Sequence, residues 1–209
     1  MLQVKQFFAP APEKTFRKGS ILISPEDKVE NIYYLASGNV KMTVLNSNGE
    51  DITIHVFRPG AFFPMMLAIS NSPNRFYFQA LTKIKVKISP SDKVVGFLKK
   101  EQMPLYDLTV RFAKGLDGLS ARLESLLGEK ALNRIVSLLL YLADKFGKDS
   151  HEGRKIDLPL SHQNIASWTG LERETVSRQM KTLSDKGLVR YKRQKITIIN
   201  LNKLVKQAG

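Results

Sequence analysis

SHQNIASWTGLERETVSRQMKTLSDKG, residues Ser161 to Gly187, reads as two short helices joined by a tight turn. Ser161 is suited to cap the first helix, because its hydroxyl can accept from a first-turn amide that has no partner within the helix. Ile165, Ala166 and Leu171 supply apolar packing groups, and the small Ala166 lets a second helix cross closely above it. Gly170 stands where the chain must turn sharply, and glycine takes positive φ at no steric cost. In the second helix Val176, Met180 and Leu183 recur at i, i+4 and i+7, which makes one buried stripe. Arg173, Glu174, Ser177 and Arg178 fall on a different face, and Lys181 extends it. One side for a core and one for a groove is the layout of a helix-turn-helix that reads DNA. A run of charges on a helix is ordinarily just a solvated face. The turn, the small residue, the buried stripe and the basic hairpin that follows argue against that reading here.

GLERETVSR, Gly170 to Arg178, is very similar to the recognition helix of the Crp/Fnr superfamily of bacterial transcription regulators. The resemblance implies that Arg173 and Arg178 read guanines and that Glu174 accepts from a cytosine amino group while bracing the arginines. Those pairings suit the donors and acceptors of the major groove. Ser177 matches a position that helps set half-site preference in the Fnr branch. Glu172 departs from the pattern, standing where Ser or Thr usually caps the helix and meets a phosphate. A carboxylate can still cap, but it repels the phosphate. Ser161, His162, Gln163, Thr175 and Lys181 are assigned to phosphates. Leu188 to Asn200 reads as a two-stranded wing turning at Arg193-Gln194, and its Arg190, Lys192 and Arg193 are assigned to phosphates as well. Such contacts position a protein without reading sequence.

Charge agrees with the motif. The 209 residues carry a net charge of +14. Residues 1–128 hold 17 Lys and Arg against 11 Asp and Glu, and the shorter remainder holds 16 against 8. The excess per residue is therefore greatest where the helix-turn-helix lies, as a polyanionic partner requires. With 43% hydrophobic and 25% charged residues the composition is that of a globular protein with a real core. The chain has no cysteine, which excludes disulfides, thiolate zinc sites, cysteine nucleophiles and cysteine-ligated iron–sulfur clusters. No apolar run approaches the roughly 18 to 20 residues that span a bilayer. The start, MLQVKQFFAPAPEK, has no signal-peptide core. A cytoplasmic location without membrane contact is the expectation.

Residues 20–90 alternate apolar and polar groups in short runs, as antiparallel strands do, with turns at Ser37-Gly38, Asn48-Gly49 and Arg58-Pro59-Gly60. Their order resembles the β-roll, or jelly-roll, sensor domain of the same superfamily. From Met103 to Leu127 the period becomes helical. Leu105, Leu108, Phe112, Leu116, Leu119, Leu123 and Leu126 step by three or four residues, which suits a coiled-coil seam or a core-facing stripe. In the family this helix pairs with its symmetry mate. Gly115 and Gly118 within it allow close helix approach or a local bend. A further helix spans 129–146, and 147–154 reads as a polar loop. The expected fold is thus α+β, with a β-roll over 1–100, a dimerisation helix over 101–128 and a winged helix-turn-helix over 129–209.

In cyclic-AMP-binding relatives a Gly-Glu pair and an Arg-Ser pair hold the nucleotide. The matching positions here are Pro64-Met65 and Asn74-Arg75. The ribose acceptor is lost and Arg75 is displaced by one residue, which in a strand reverses its face, so cyclic AMP is disfavoured. Phe62, Phe63, Met65, Met66, Phe76 and Phe78, with Arg75, either line a pocket for an apolar effector or fill the β-roll. Haem, with His55 as its ligand, is the weaker alternative. His55, His151 and His162 are scattered through different elements, and no phosphate loop or nucleophile–base pair is present, so an enzyme is not expected. The expectation is a homodimeric transcription regulator that binds an inverted repeat with TGTGA-like half-sites and contacts RNA polymerase. An effector-independent regulator, or a ligand-binding module whose helix-turn-helix docks proteins, are the other readings.

Overall fold

An alternating strand buries one face and wets the other, and part of the strand-forming stretch 13–90 follows this rule, Tyr77–Ala80 most plainly. After a short helix, α1 (Leu2–Phe7), come β1 (Glu13–Phe16), β2 (Ile21–Ile23), β3 (Asn31–Ser37), β4 (Val40–Leu45), β5 (Asp51–Phe57) and β6 (Phe62–Phe63). Helix α2 (Met65–Ser70) leads on to β7 (Tyr77–Ala80) and β8 (Ile84–Pro90). These strands form two antiparallel four-stranded sheets, ordered β1-β8-β3-β6 and β2-β7-β4-β5. The computed structural model describes residues 2–128 and 130–207.

Two cores follow from the alternation of β3. Leu35 joins Phe63, Ile84 and Val86 of its own sheet to Ile23, Val40 and Phe78 of the other. Ile32 and Tyr34 point the opposite way, where Val4, Phe8 and Met65 cover them together with Val94 and Leu98 of α3 (Ser91–Lys100) and Leu108 of α4 (Gln102–Gly128). Phe7 stacks on Phe97 with ring centroids 4.4 Å apart, which fastens α1 to α3.

The remaining elements are α5 (Ala131–Phe146), β9 (Gly147–Ser150), β10 (Gly153–Ile156), α6 (His162–Thr169), α7 (Arg173–Asp185), β11 (Val189–Lys192), β12 (Lys195–Ile198) and α8 (Leu201–Val205). Their sheet runs β11-β12-β10-β9. Ile135, Leu139 and Leu142 of α5, Ile165 of α6, Val176 and Leu183 of α7, and Ile196 of β12 are all fully buried.

Three expectations change. The stretch 147–154 is not a loop but mostly the β9–β10 hairpin, joined to the wing through β10 and β12. Strand β9 is largely exposed and β10 buries only Ile156, so the pair carries no apolar alternation to reveal it. The wing is accordingly part of a four-stranded sheet rather than a free pair of strands. Finally, the chain divides into two compact units at Leu116/Asp117, inside α4, and not at either end of that helix. A continuous helical period hides such a boundary. Among the described residues no helix is long and apolar enough to cross a membrane.

Candidate nucleic-acid interface

The helix-turn-helix is built as its residue types dictate. Ser161 caps α6: its Oγ accepts from the Asn164 amide at 3.1 Å, while the Asn164 Oδ1 accepts from the Ser161 amide at 2.9 Å. This reciprocal box satisfies two amides that the helix cannot. Asn three residues after Ser was the sequence signal for it, a shorter relative of the usual Glu or Gln. Gly170 ends α6 with φ of 64°, and its amide donates to the Ala166 carbonyl at 2.9 Å. Ile165 and Ala166 of α6 are buried, as are Val176, Met180 and Leu183 of α7.

That packing leaves the other face of α7 free. Arg173, Glu174, Ser177, Arg178 and Lys181 are exposed, and Thr175 is half-buried. Arg173 Nη1 lies 3.9 Å from Glu174 Oε1, a loose pairing that leaves both groups able to meet a base. Among the described residues Arg178 and Lys181 form no ion pair. Glu172 occupies the N-cap of α7 without a side-chain hydrogen bond, so its carboxylate does not cap the helix here.

The wing follows at once. Arg193 and Gln194 form its turn, with φ of 50° and 63°, and Arg190, Lys192 and Arg193 are exposed. Arg190 is paired with Glu152 of the β9–β10 turn at 2.7 Å. Gln163 is exposed on α6. His162 is not placed to meet a phosphate through its Nε2. Its ring stacks on Tyr191 at 4.6 Å and 24°, and the Nε2 is enclosed without a hydrogen-bond partner. Burial, and then the charge of Arg173, holds the His162 imidazole below its ordinary pKa. The Ser161 hydroxyl is likewise engaged in capping. Sequence reasoning missed Tyr191, since nothing in the chain announces which residue a histidine will stack on.

Residues 133–207 match the Crp-like helix-turn-helix domain, and residues 13–101 match the cyclic nucleotide-binding domain. Over 197 residues the chain is 32% identical to the global nitrogen regulator of Nostoc sp., covering 91% of this chain and 86% of that protein. The chain belongs to the Crp/Fnr family of transcription regulators. The transcriptional regulator SdrP of Thermus thermophilus is 26% identical over 192 residues, with 91% of each chain covered. FixK2 from Bradyrhizobium japonicum shares the fold, with a TM-score of 0.81 at 21% identity over 95% of this chain and 98% of that one. These curated relatives are transcription regulators, not enzymes.

In this Crp/Fnr regulator the residues expected around an effector do not form one lining. Phe63, Phe76 and Phe78 belong to the core between the sheets, whereas Phe62 and Met65 belong to the core beneath α1 and α3. Phe63 and Phe78 stack at 5.5 Å and 5°, and Phe57 stacks on both, at 4.8 and 5.9 Å. Met66 is exposed, and so is Arg75, whose guanidinium lies 5.2 Å from the Phe76 ring centroid. The neighbouring Asn74 is buried and ties the Ser24 and Phe76 carbonyls together. An open cavity of about 450 Å³ lies elsewhere in this unit, lined by Leu22, Asp27, Lys28, Glu30 and Tyr33 among others, and none of the expected residues borders it. His55 is half-buried, its ring edge-on to Phe57 at 4.7 Å, and burial followed by Arg58 lowers its pKa.

The α4 stripe also divides. Leu108 is only 4% exposed and serves the core under α1, so it is not an interface residue. Leu126 is partly covered and lies within van der Waals reach of a Cβ built at Gly170. Leu105, Phe112, Leu116, Leu119 and Leu123 remain exposed, Leu116 at 67%. Beyond their own helical turns, a Cβ at Gly115 or Gly118 would meet no atom of the described residues within 4 Å.

Proposed function

We propose that this Crp/Fnr regulator acts as a cytoplasmic homodimer on an inverted-repeat DNA site, with Arg173 and Arg178 reading guanines and Glu174 a cytosine. The observation that carries the reading is the exposed Arg173, Glu174, Ser177 and Arg178 face of α7, with the basic wing next in the chain. Lys181, Thr175, Gln163, Arg190, Lys192 and Arg193 hold phosphates. Dimerisation is supported by five large apolar side chains left open along α4 at near-heptad spacing, which a second copy would cover. Two recognition helices related by a two-fold axis then meet half-sites about one helical turn apart. RNA polymerase is the further partner of a regulator of this kind.

DNA binding on this reading needs no small molecule in the β-roll. The Phe57, Phe63 and Phe78 stack occupies the interior between the sheets where an effector would sit. The positions that would hold a cyclic nucleotide do not fit one. Pro64 and Met65 offer no carboxylate to a ribose, and Arg75 is turned outward onto Phe76.

The test is selection of bound sequences from a random duplex pool with no ligand added. An enriched palindrome with guanine-containing half-sites is the expected result. Enrichment only after small molecules from a cell extract are added would overturn effector independence. Affinity for a protein but none for any duplex would overturn the DNA reading.

A further inference from the structure

His162 opens α6, where an imidazole facing outward would meet a phosphate. Instead its ring lies flat on Tyr191, and the enclosed Nε2 has no partner. With no hydrogen bond to the Nε2, the ring stack on Tyr191 is the contact that seats this side chain. Tyr191 stands in β11 between Arg190 and Lys192, and its hydroxyl donates to the Leu160 carbonyl at 3.1 Å. The Leu160 amide in turn donates to the Gln194 carbonyl at 2.9 Å. Residues 160–162 therefore grip the wing on both sides of Lys192 and Arg193, through a ring stack, a phenol and a backbone bond. The α6 helix that carries His162 packs on α7, and Ile165, Ala166 and Val176 of the two helices are buried.

We propose that His162 and Tyr191 form an aromatic clamp that positions the wing against DNA, so that His162 acts on phosphate contacts through Lys192 and Arg193 rather than by its own nitrogen. The clamp rests on the reading of those two cations as phosphate contacts. It makes His162 and Tyr191 positioning residues: the stacked ring is what matters, and an aromatic without a nitrogen will serve. Base discrimination belongs to α7 and stays independent of it.

The experiment uses the full-length protein and two duplexes, one with a TGTGA inverted repeat and one with that sequence shuffled, each titrated over a fourfold range of salt. One phosphate contributes about 0.9 to the slope of log K against log salt, or about 3.5-fold over that range. Arg193→Ala should lower the slope by about one phosphate. His162→Leu and Tyr191→Leu should lower it at least as much, with the preference for the repeat over the shuffled duplex unchanged. His162→Phe should restore the wild-type slope. His162→Asn, polar and without an aromatic ring, stands in should leucine at 162 disturb folding, as judged by circular dichroism. A wild-type slope in both His162→Leu and Tyr191→Leu beside a lowered one in Arg193→Ala overturns the clamp alone. So does His162→Phe behaving like His162→Leu, since the nitrogen would then be the active part. No change in Arg193→Ala and Lys192→Ala overturns the wing reading, and the clamp with it.

Discussion

Arg178 is exposed on α7 with no ion pair to release among the described residues, and a guanidinium in that state can make two parallel hydrogen bonds to a guanine edge. Arg178→Ala should cost about 1–3 kcal/mol of binding to the selected site and leave random-sequence binding nearly intact, as measured by gel shift on both duplexes. Equal losses on the two duplexes would make Arg178 a phosphate ligand instead. His162 supports a second prediction. Burial against Tyr191, with Arg173 nearby, keeps its pKa below the ordinary 6.5. The unfolded chain then takes up this proton at a higher pH than the folded chain does. The stability supplied by neutral His162 is therefore complete above about pH 6.5 and falls as the pH drops below it. Trp168, the single tryptophan, is buried in the same unit and reports on it. Between pH 7.5 and 5.5, the urea midpoint by its fluorescence should fall less in His162→Phe than in the wild type. At this scale the α7 face was legible in the sequence because residue type and spacing alone define it. The idle Glu172 side chain and the His162–Tyr191 stack were not, because each depends on a partner brought in from elsewhere or left unmet.

Helix α4 shows what periodicity can and cannot reveal. The near-heptad step of its apolar residues marks a helix with one apolar face, but Leu108 is spent inside its own unit while Leu116, Leu119 and Leu123 stay open. Spacing is blind to that division, since the same side chain suits a core or a second copy. Leu119→Glu with Leu123→Glu should convert a dimer to a monomer in sedimentation and weaken binding to the palindrome more than binding to a single half-site. An unchanged dimer would place the interface elsewhere. The β9–β10 hairpin escaped notice for the opposite reason: Ile156 is the single large apolar side chain in its strands, and what holds it is specific. Arg154 donates its Nε to the Ala143 carbonyl at the end of α5 and an Nη1 to Asp149, both at 2.8 Å. A cation there also suits the negative end of the helix. Gly147 passes beneath this crossing, and a Cβ at that position would collide with the Ala143 oxygen and the Arg154 guanidinium. Gly147→Ala should therefore destabilise the second unit by about 1–3 kcal/mol in urea unfolding, the usual range for overpacking.

Across the whole molecule, charge and fold class were the most legible features, because both are sums over many residues and survive local errors. Strand alternation and helical period pointed to antiparallel strands followed by helices, the resemblance to the Crp/Fnr superfamily supplied the β-roll and the winged helix-turn-helix, and the uneven positive charge pointed to a polyanion. Whether the β-roll interior binds anything was not readable, since phenylalanines that stack and phenylalanines that line a cavity have the same composition. A chain of net charge +14 should bind random-sequence duplex with a steep salt dependence, losing at least about tenfold in affinity between 50 and 200 mM salt. A flat response would mean that few of its cations reach phosphate. The turn of the wing bears on how far such a molecule can be improved. Arg193 and Gln194 both sit in the left-handed region, where a side chain costs roughly 1–2 kcal/mol and glycine nothing. Glycine at both positions would relax the backbone and erase the cation that the turn presents. At Arg193 hardiness and grip compete, whereas at Gln194, which is assigned no contact, glycine would relax the turn without removing a cation.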